Sequence, residues 1–148
     1  MRHEFFMQLA LAAARKAQSQ GEVPIGAVIV RDSKILGVGW NRREQLKEPT
    51  SHAEIEAIRN AVKRWGDWRL YGSDIYVTLE PCLMCAGALL QARVRTVYFG
   101  AFDPKGGALG SLLDVSEVAG FNHKLVVRGG LLADRCSQIL KDFFKTIR

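Results

Sequence analysis

Between Ile75 and Phe99 the chain reads strand, helix, strand, and this stretch limits the fold more than any other. Ile75 to Leu79 is a β-branched and apolar run, Cys82 to Gln91 follows Pro81 with helical character, and Thr96 to Phe99 is apolar again. A strand that returns through one helix lies parallel to its predecessor, because the crossover has to pack back onto the sheet. Strands three and four are therefore expected to be parallel.

The flanking segments extend the same alternation. His3 to Gln20 carries Phe5, Phe6, Leu9, Ala12, Ala13 and Ala17 at helical spacing, and Gly21 ends it. Pro24 to Val30 and Lys34 to Trp40 read as two strands, with a hairpin turn at Asp32 and Ser33. Ala53 to Trp65 reads as a helix, with Ile55, Ile58, Ala61 and Val62 at helical intervals. Asp103 to Gly110 is a Gly-rich loop, Leu112 to Val118 a short helix, Lys124 to Arg128 a fifth strand and Leu132 to Ile147 a closing helix. The expectation is an α/β fold: a three-layer α/β/α sandwich around one mixed five-stranded sheet, in a single domain over residues 1–148.

Composition narrows the class. With 48% hydrophobic and 24% charged residues the chain has the balance of a globular protein, neither disordered nor fibrous. No apolar run approaches membrane-spanning length, and Met1 to Ala14 lacks the uninterrupted apolar core of a signal peptide. A cytoplasmic location without membrane attachment is expected. Three cysteines, an odd number, argue against a disulfide framework. Lys and Arg outnumber Asp and Glu by 21 to 15, and the net charge of +6 favours a polyanionic partner, although it also serves plain solubility.

Two short segments carry the chemistry: His52-Ala53-Glu54 and, thirty residues on, Pro81-Cys82-Leu83-Met84-Cys85, each opening a helix. Either one alone has a bland reading. Ser51-x-x-Glu54 fits a capping box, and a lone Cys-x-x-Cys after a strand fits a redox dithiol. Together, one imidazole and two thiolates suit a tetrahedral zinc ion with one position left open for water, one ion per chain. A structural zinc site closes with four protein ligands, and Cys136 lies among Leu132, Ile139 and Phe143 of the last helix, where core packing is its expected role. Glu54, two residues from the histidine, can face the open position as proton acceptor without being a ligand.

His-x-Glu with Pro-Cys-x-x-Cys resembles the signature of zinc-dependent nucleobase deaminases of the cytidine deaminase superfamily. Further segments carry the resemblance over nearly the whole chain: Gly21-Glu22-Val23-Pro24-Ile25-Gly26-Ala27, Trp40-Asn41, Tyr76-Val77-Thr78-Leu79-Glu80-Pro81-Cys82, Phe99-Gly100-Ala101, Asp103-Pro104-Lys105-Gly106-Gly107, Phe121-Asn122-His123 and Asp142-Phe143-Phe144. They are similar to the bacterial tRNA-specific adenosine deaminases. That resemblance implies a homodimeric hydrolase that converts the wobble adenosine in the anticodon stem-loop of an arginine tRNA to inosine, with Glu54 as proton shuttle. It also implies that Asn41 hydrogen-bonds the flipped nucleoside, that the Ala53 backbone meets the base and that Ile25 forms an apolar wall. Asp103 and Asn122 would contact the target nucleotide and its neighbours, and Phe144 the flanking bases. The alternative for Ile25 and Phe144 is core packing, and for Asp103 and Asn122 turn chemistry. Lys141, Lys145 and Arg148 fall at helical spacing, fit either to touch phosphates or to form a solvated face.

Overall fold

Asp32 and Ser33 both adopt left-handed backbone angles, φ 50° and 64°, which a two-residue hairpin turn requires of its central pair. In this computed structural model, which describes residues 2–147, they turn β1 (Gly26–Arg31) back onto β2 (Lys34–Trp40). The other side of β1 pairs antiparallel with β3 (Asp74–Leu79). From there the sheet continues in parallel through β4 (Thr96–Ala101) and β5 (Val126–Gly129), giving the order β2-β1-β3-β4-β5. The crossover from β3 to β4 is α4 (Leu83–Gln91), as the strand-helix-strand stretch requires.

Helices cover both faces. On one face lie α1 (His3–Ser19) and α5 (Ala133–Thr146), and on the other α3 (Ala53–Trp65) and α4. Alternate residues of β1 divide between the two cores, as the period of a strand dictates: Val28 and Val30 pack with Phe6, Met7 and Leu11, whereas Ala27 and Ile29 pack with Ala53, Ala57 and Leu89. Cys136 is fully buried in the first of these cores. No helix among the described residues is long and apolar enough to cross a membrane.

Three segments differ from the sequence expectation. The stretch from Leu112 to Val118 holds only one 3₁₀ turn, Val115–Glu117, capped by the Asp114 side chain. The amides of Leu112 and Leu113 bond instead to the carbonyl of Gly107, and the Glu80 carboxylate takes the neighbouring amide of Ser111, so no helical ladder starts there. The ladder of β5 begins at Val126, whose amide donates to Arg95, and Leu125 is spent on the core. A short helix, α2 (Arg43–Leu46), has no apolar periodicity to announce it.

The close fit of α3 on β2 rests on two glycines. A Cβ on Gly37 would lie 2.5 Å from the Ala57 carbonyl oxygen and 2.5 Å from the Ala61 nitrogen, and one on Gly39 would overlap the Ala53 carbonyl and the Ala57 nitrogen. Gly39→Ala is therefore expected to lower unfolding free energy by about 1–3 kcal/mol through overpacking against helix backbone. Gly87→Ala, inside α4 where an added methyl would meet nothing within 4 Å, should be neutral or stabilising by up to about 1 kcal/mol. Urea denaturation of the two variants beside the wild type checks this.

Candidate metal and catalytic site

His52 is the residue that caps α3 and Cys82 the residue that caps α4, each in extended conformation and each without a side-chain cap bond. Both helices lie on one face of the sheet, and their uncapped first turns point amide groups and the positive ends of their dipoles toward the same place. The His52 Nδ1 atom lies 3.6 Å from Cys82 Sγ and 3.5 Å from Cys85 Sγ. The three donor atoms are all within 4.8 Å of one another. In a tetrahedral shell with bonds of about 2.3 Å to sulfur and about 2.0–2.1 Å to nitrogen, neighbouring nitrogen and sulfur atoms stand about 3.6 Å apart. The trio fits a metal ion of that kind, and its donor set of two thiolates and an imidazole suits zinc chemistry.

Hydrogen bonds link the three donors to one another when no metal is bound. The hydrogen bond from Cys85, with a further one from His52, draws the Cys82 thiol down to about 4, while that bond and burial drive the Cys85 thiol upward. Hydrogen bonding to Cys82 raises His52. Without a metal, the pair of cysteines thus carries one thiolate and one thiol, and the helix starts favour the negative charge.

Glu54 stands in the first turn of α3, only 4% exposed, and burial pushes its carboxyl up to about 7. The capping box that the sequence allows is not formed: His52 and not Ser51 takes the cap position, and among the described residues the buried Ser51 Oγ finds no hydrogen-bond partner. The Glu54 carboxylate lies beside the trio of His52, Cys82 and Cys85, taking hydrogen bonds from its own amide and from the Cys85 thiol rather than closing a capping box with Ser51.

Of the other residues singled out in the sequence, the sheet brings three to this end of α3. The Asn41 amide donates to the Ile25 carbonyl at 3.1 Å, and the Ala53 carbonyl lies against Gly39. Asn41 is 4% exposed, and its carboxamide makes two long contacts of 3.4 Å, to the Val23 carbonyl and from the Arg43 amide. Both are weak enough to yield to a better partner. Ile25 is half-buried against the core that contains Ala53.

The remaining three lie elsewhere or are otherwise engaged. The Asp103 carboxylate accepts the amides of Lys105 and Gly106 at 3.1 and 3.2 Å, a turn-forming use. Asn122 is exposed in a cleft with Leu90, Gln91 and Arg93, by the end of α4 away from Cys82. Phe144 is exposed on α5, edge-on to Phe143, on the sheet face opposite α3 and α4. Lys141 and Lys145 are exposed on the same helix, and Arg148 lies outside the described residues.

Two buried carboxylates that the sequence reading assigned no role hold the walls of the site. Glu80, next to Pro81 and Cys82, accepts the amides of Asp103, Leu109 and Ser111 at 3.0–3.1 Å and the Ser111 hydroxyl at 2.5 Å. Gly107 packs so close to that carboxylate that a side chain there would overlap it. Glu22 accepts the amides of Glu44 and Gln45 at 3.1 and 2.7 Å and so anchors α2 just after Asn41. Both fall inside segments that carry the family resemblance, and their places beside a turn and at a strand end are the local signal for either.

Comparison with known proteins agrees with this geometry. The model of the MafB19-like deaminase family matches residues 1–148. The tRNA-specific adenosine deaminase of Bacillus subtilis is 46% identical over 145 residues, 98% of this chain and 90% of that protein. The protein of the same name from Haemophilus influenzae is 48% identical over 146 residues, 98% of this chain and 84% of its own. A solved structure from a study of A-to-I editing by tRNA:A34 deaminases at the wobble position of transfer RNA is also similar, with a TM-score of 0.88 and 46% identity. It covers 92% of this chain and 99% of its own.

Burial of Glu54 has a consequence for stability. A carboxyl raised from 4.5 to about 7 keeps its proton longer in the folded than in the unfolded chain, so its contribution to stability falls as pH rises through that interval and then levels off. In metal-stripped protein, the stability of Glu54→Gln relative to the wild type should therefore rise between pH 4.5 and 7, by about 3 kcal/mol in all. Denaturation at several pH values reads the difference. A Glu54 that capped the helix would show the opposite sign, a loss on substitution.

Proposed function

Because the chain belongs to the MafB19-like deaminase family and to that of the tRNA-specific adenosine deaminases, we propose that it deaminates the wobble adenosine of a tRNA anticodon to inosine. The observation that carries this reading is the buried carboxylate of Glu54, raised to about 7, beside three convergent soft donors at two helix starts. His52, Cys82 and Cys85 would hold one zinc ion per chain, which when bound supplies Lewis-acid activation of water.

Glu54 does the proton work. Raised to about 7, its carboxylate can take a proton from the attacking water near neutral pH and give it up again without a large energetic step. One water proton is delivered to N1 of the purine and the other to the departing amine. The C6–O bond forms, the C6–N bond breaks, and inosine and ammonia result. Burial keeps bulk water from competing for the proton.

Substrate contacts follow the same frame. Asn41 exchanges its long internal contacts for hydrogen bonds to the nucleoside, the Ala53 backbone meets the base, and Ile25 gives the base an apolar wall. Asp103, whose amide Glu80 holds, contacts the target nucleotide, while Asn122 at the far end of α4 and Phe144 on the opposite sheet face would meet only nucleotides farther along the RNA. A base in a loop is already unpaired, so extruding it into this site costs little.

The positive balance supports a nucleic-acid substrate, and an arginine tRNA is the substrate we assign. Exposed Leu83, Phe102, Leu112, Leu113, Val118 and Phe121, on α4 and the 102–121 segment, support a homodimer, since such apolar side chains gain from burial against a second copy. Thiolate ligands need a reducing compartment, which supports the cytoplasm.

Glu54→Ala is expected to retain one zinc per chain while inosine formation on an anticodon stem-loop falls by about 10²- to 10⁴-fold. Cys82→Ala should lose both zinc and activity, because a three-ligand site that loses a thiolate no longer holds its ion. Metal analysis and inosine assay of the same preparations test the two roles. Full activity in either variant removes this reading.

A further inference from the structure

At the end of α3 away from His52, three guanidinium groups lie over two exposed indoles. Arg31 Cζ is 4.4 Å from the Trp65 ring centroid, and Arg69 and Arg93 Cζ are 4.3 and 5.7 Å from that of Trp68. The segment is firmly built: Trp65 Nε1 donates to the Arg69 carbonyl at 3.1 Å, Arg31 Nε to the Tyr71 carbonyl at 2.9 Å, and the Arg69 amide to Asp67 at 2.9 Å. Trp65 and its Arg31 serve the fold by tying the hairpin turn to the 66–73 loop. That purpose does not explain why Trp68 and Tyr71 stand 49% and 54% exposed beside them.

The chemistry of the patch fits an RNA backbone. Each guanidinium lays its apolar face on an indole and spends part of its N–H edge inside the protein: Arg31 on the Tyr71 carbonyl and Asp32, Arg69 on Asp67, and Arg93 on the Leu90 and Gln91 carbonyls. That fixes its rotamer and leaves its other N–H groups for a phosphate oxygen. Lys63 and Arg64 in the last turn of α3 add to Arg31, Arg69 and Arg93, so the segments stay positive although Asp32 pairs with Arg31 at 3.4 Å and Asp67 with Arg69 at 3.2 Å. Exposed aromatic rings among such cations are the composition of nucleic-acid stacking surfaces. The thirteen residues of α3 place the patch about 20 Å from Glu54, too far for the nucleotide in the site but within reach of an RNA that continues beyond its loop.

We propose that the platform of Arg31, Arg69, Arg93, Trp68 and Tyr71 binds the sugar-phosphate backbone of the tRNA body, outside the anticodon loop. The proposal rests on the reading of the site as a tRNA deaminase. It divides substrate recognition in two: the pocket at Glu54 selects the base, and the platform adds affinity that a short stem-loop does not receive.

The test compares full-length tRNA with its isolated anticodon stem-loop, using the metal-loaded enzyme. For the wild type, the fall of log kcat/KM with log salt should be steeper on the full tRNA by about 2 to 3, at about 0.7–0.9 for each of three further phosphates neutralised. Arg69→Gln with Tyr71→Ala, and separately Trp68→Leu, should raise KM for full tRNA at least about fivefold. Neither kcat nor KM on the stem-loop should change. Equal salt slopes on the two RNAs, or a KM on full tRNA that the variants leave unchanged, overturn the proposal and leave the patch to a protein partner or to the fold alone. Equal losses on both substrates overturn it too, as damage to the whole molecule. Binding of both RNAs to Glu54→Ala, measured by fluorescence anisotropy, separates this proposal from the reaction. Tighter binding of full tRNA supports the platform even if no inosine forms, and equal binding contradicts it even if inosine does.

Discussion

The seating of α3 on β2 is the contact on which the site depends. Gly37 and Gly39 on the strand and Ala53, Ala57 and Ala61 on the helix let two backbones approach closer than larger side chains allow, and that approach fixes where the helix begins. His52 and Glu54 are at that beginning. The parallel crossover from β3 delivers the start of α4 to the same end of the sheet, and with it Cys82 and Cys85. Two uncapped helix starts then face each other across a few ångströms, each short of acceptors and each favouring negative charge. Thiolates, a carboxylate and an anionic nucleic acid are what such a place can hold.

Around this rigid centre the walls are loops, and buried carboxylates hold them. Glu80 collects the amides of a Gly-rich loop that would otherwise have no partners, and Glu22 does the same for α2. Satisfying backbone amides with a buried acid is stabilising only when several donors converge, because the charge would otherwise be costly to bury. Glu54 differs from both. It is buried with its own amide and the Cys85 thiol in place of several convergent loop amides, burial outweighs them, and its carboxyl rises to about 7.

Much of this was legible in the residues. The parallel pair β3 and β4, the hairpin at Asp32 and Ser33, and α3 between Ala53 and Trp65 follow from periodicity and turn chemistry that local sequence encodes. So does the meeting of His52, Cys82 and Cys85, since soft donors thirty residues apart at two helix starts have few other uses. The roles of Glu22 and Glu80 were not legible, because their partners are backbone amides, which every residue carries. The choice between cap and free carboxylate at Glu54 was open until the cap position fell to His52. The placements of Asn122 beside Arg93 and of Phe144 on the opposite sheet face depend on how the last strand and helix pack, which no local pattern specifies.

A site that serves an adenosine presented by RNA should separate RNA sharply from free compounds. Measuring kcat/KM in one preparation on an anticodon stem-loop, free adenosine and free guanine tests it most directly. Efficient inosine formation on the stem-loop and scarcely any turnover of the free compounds are expected, because contacts to flanking nucleotides supply binding that a lone nucleoside or base cannot make. Comparable or higher efficiency on free adenosine or guanine would contradict it and identify the pocket as that of a small-molecule deaminase.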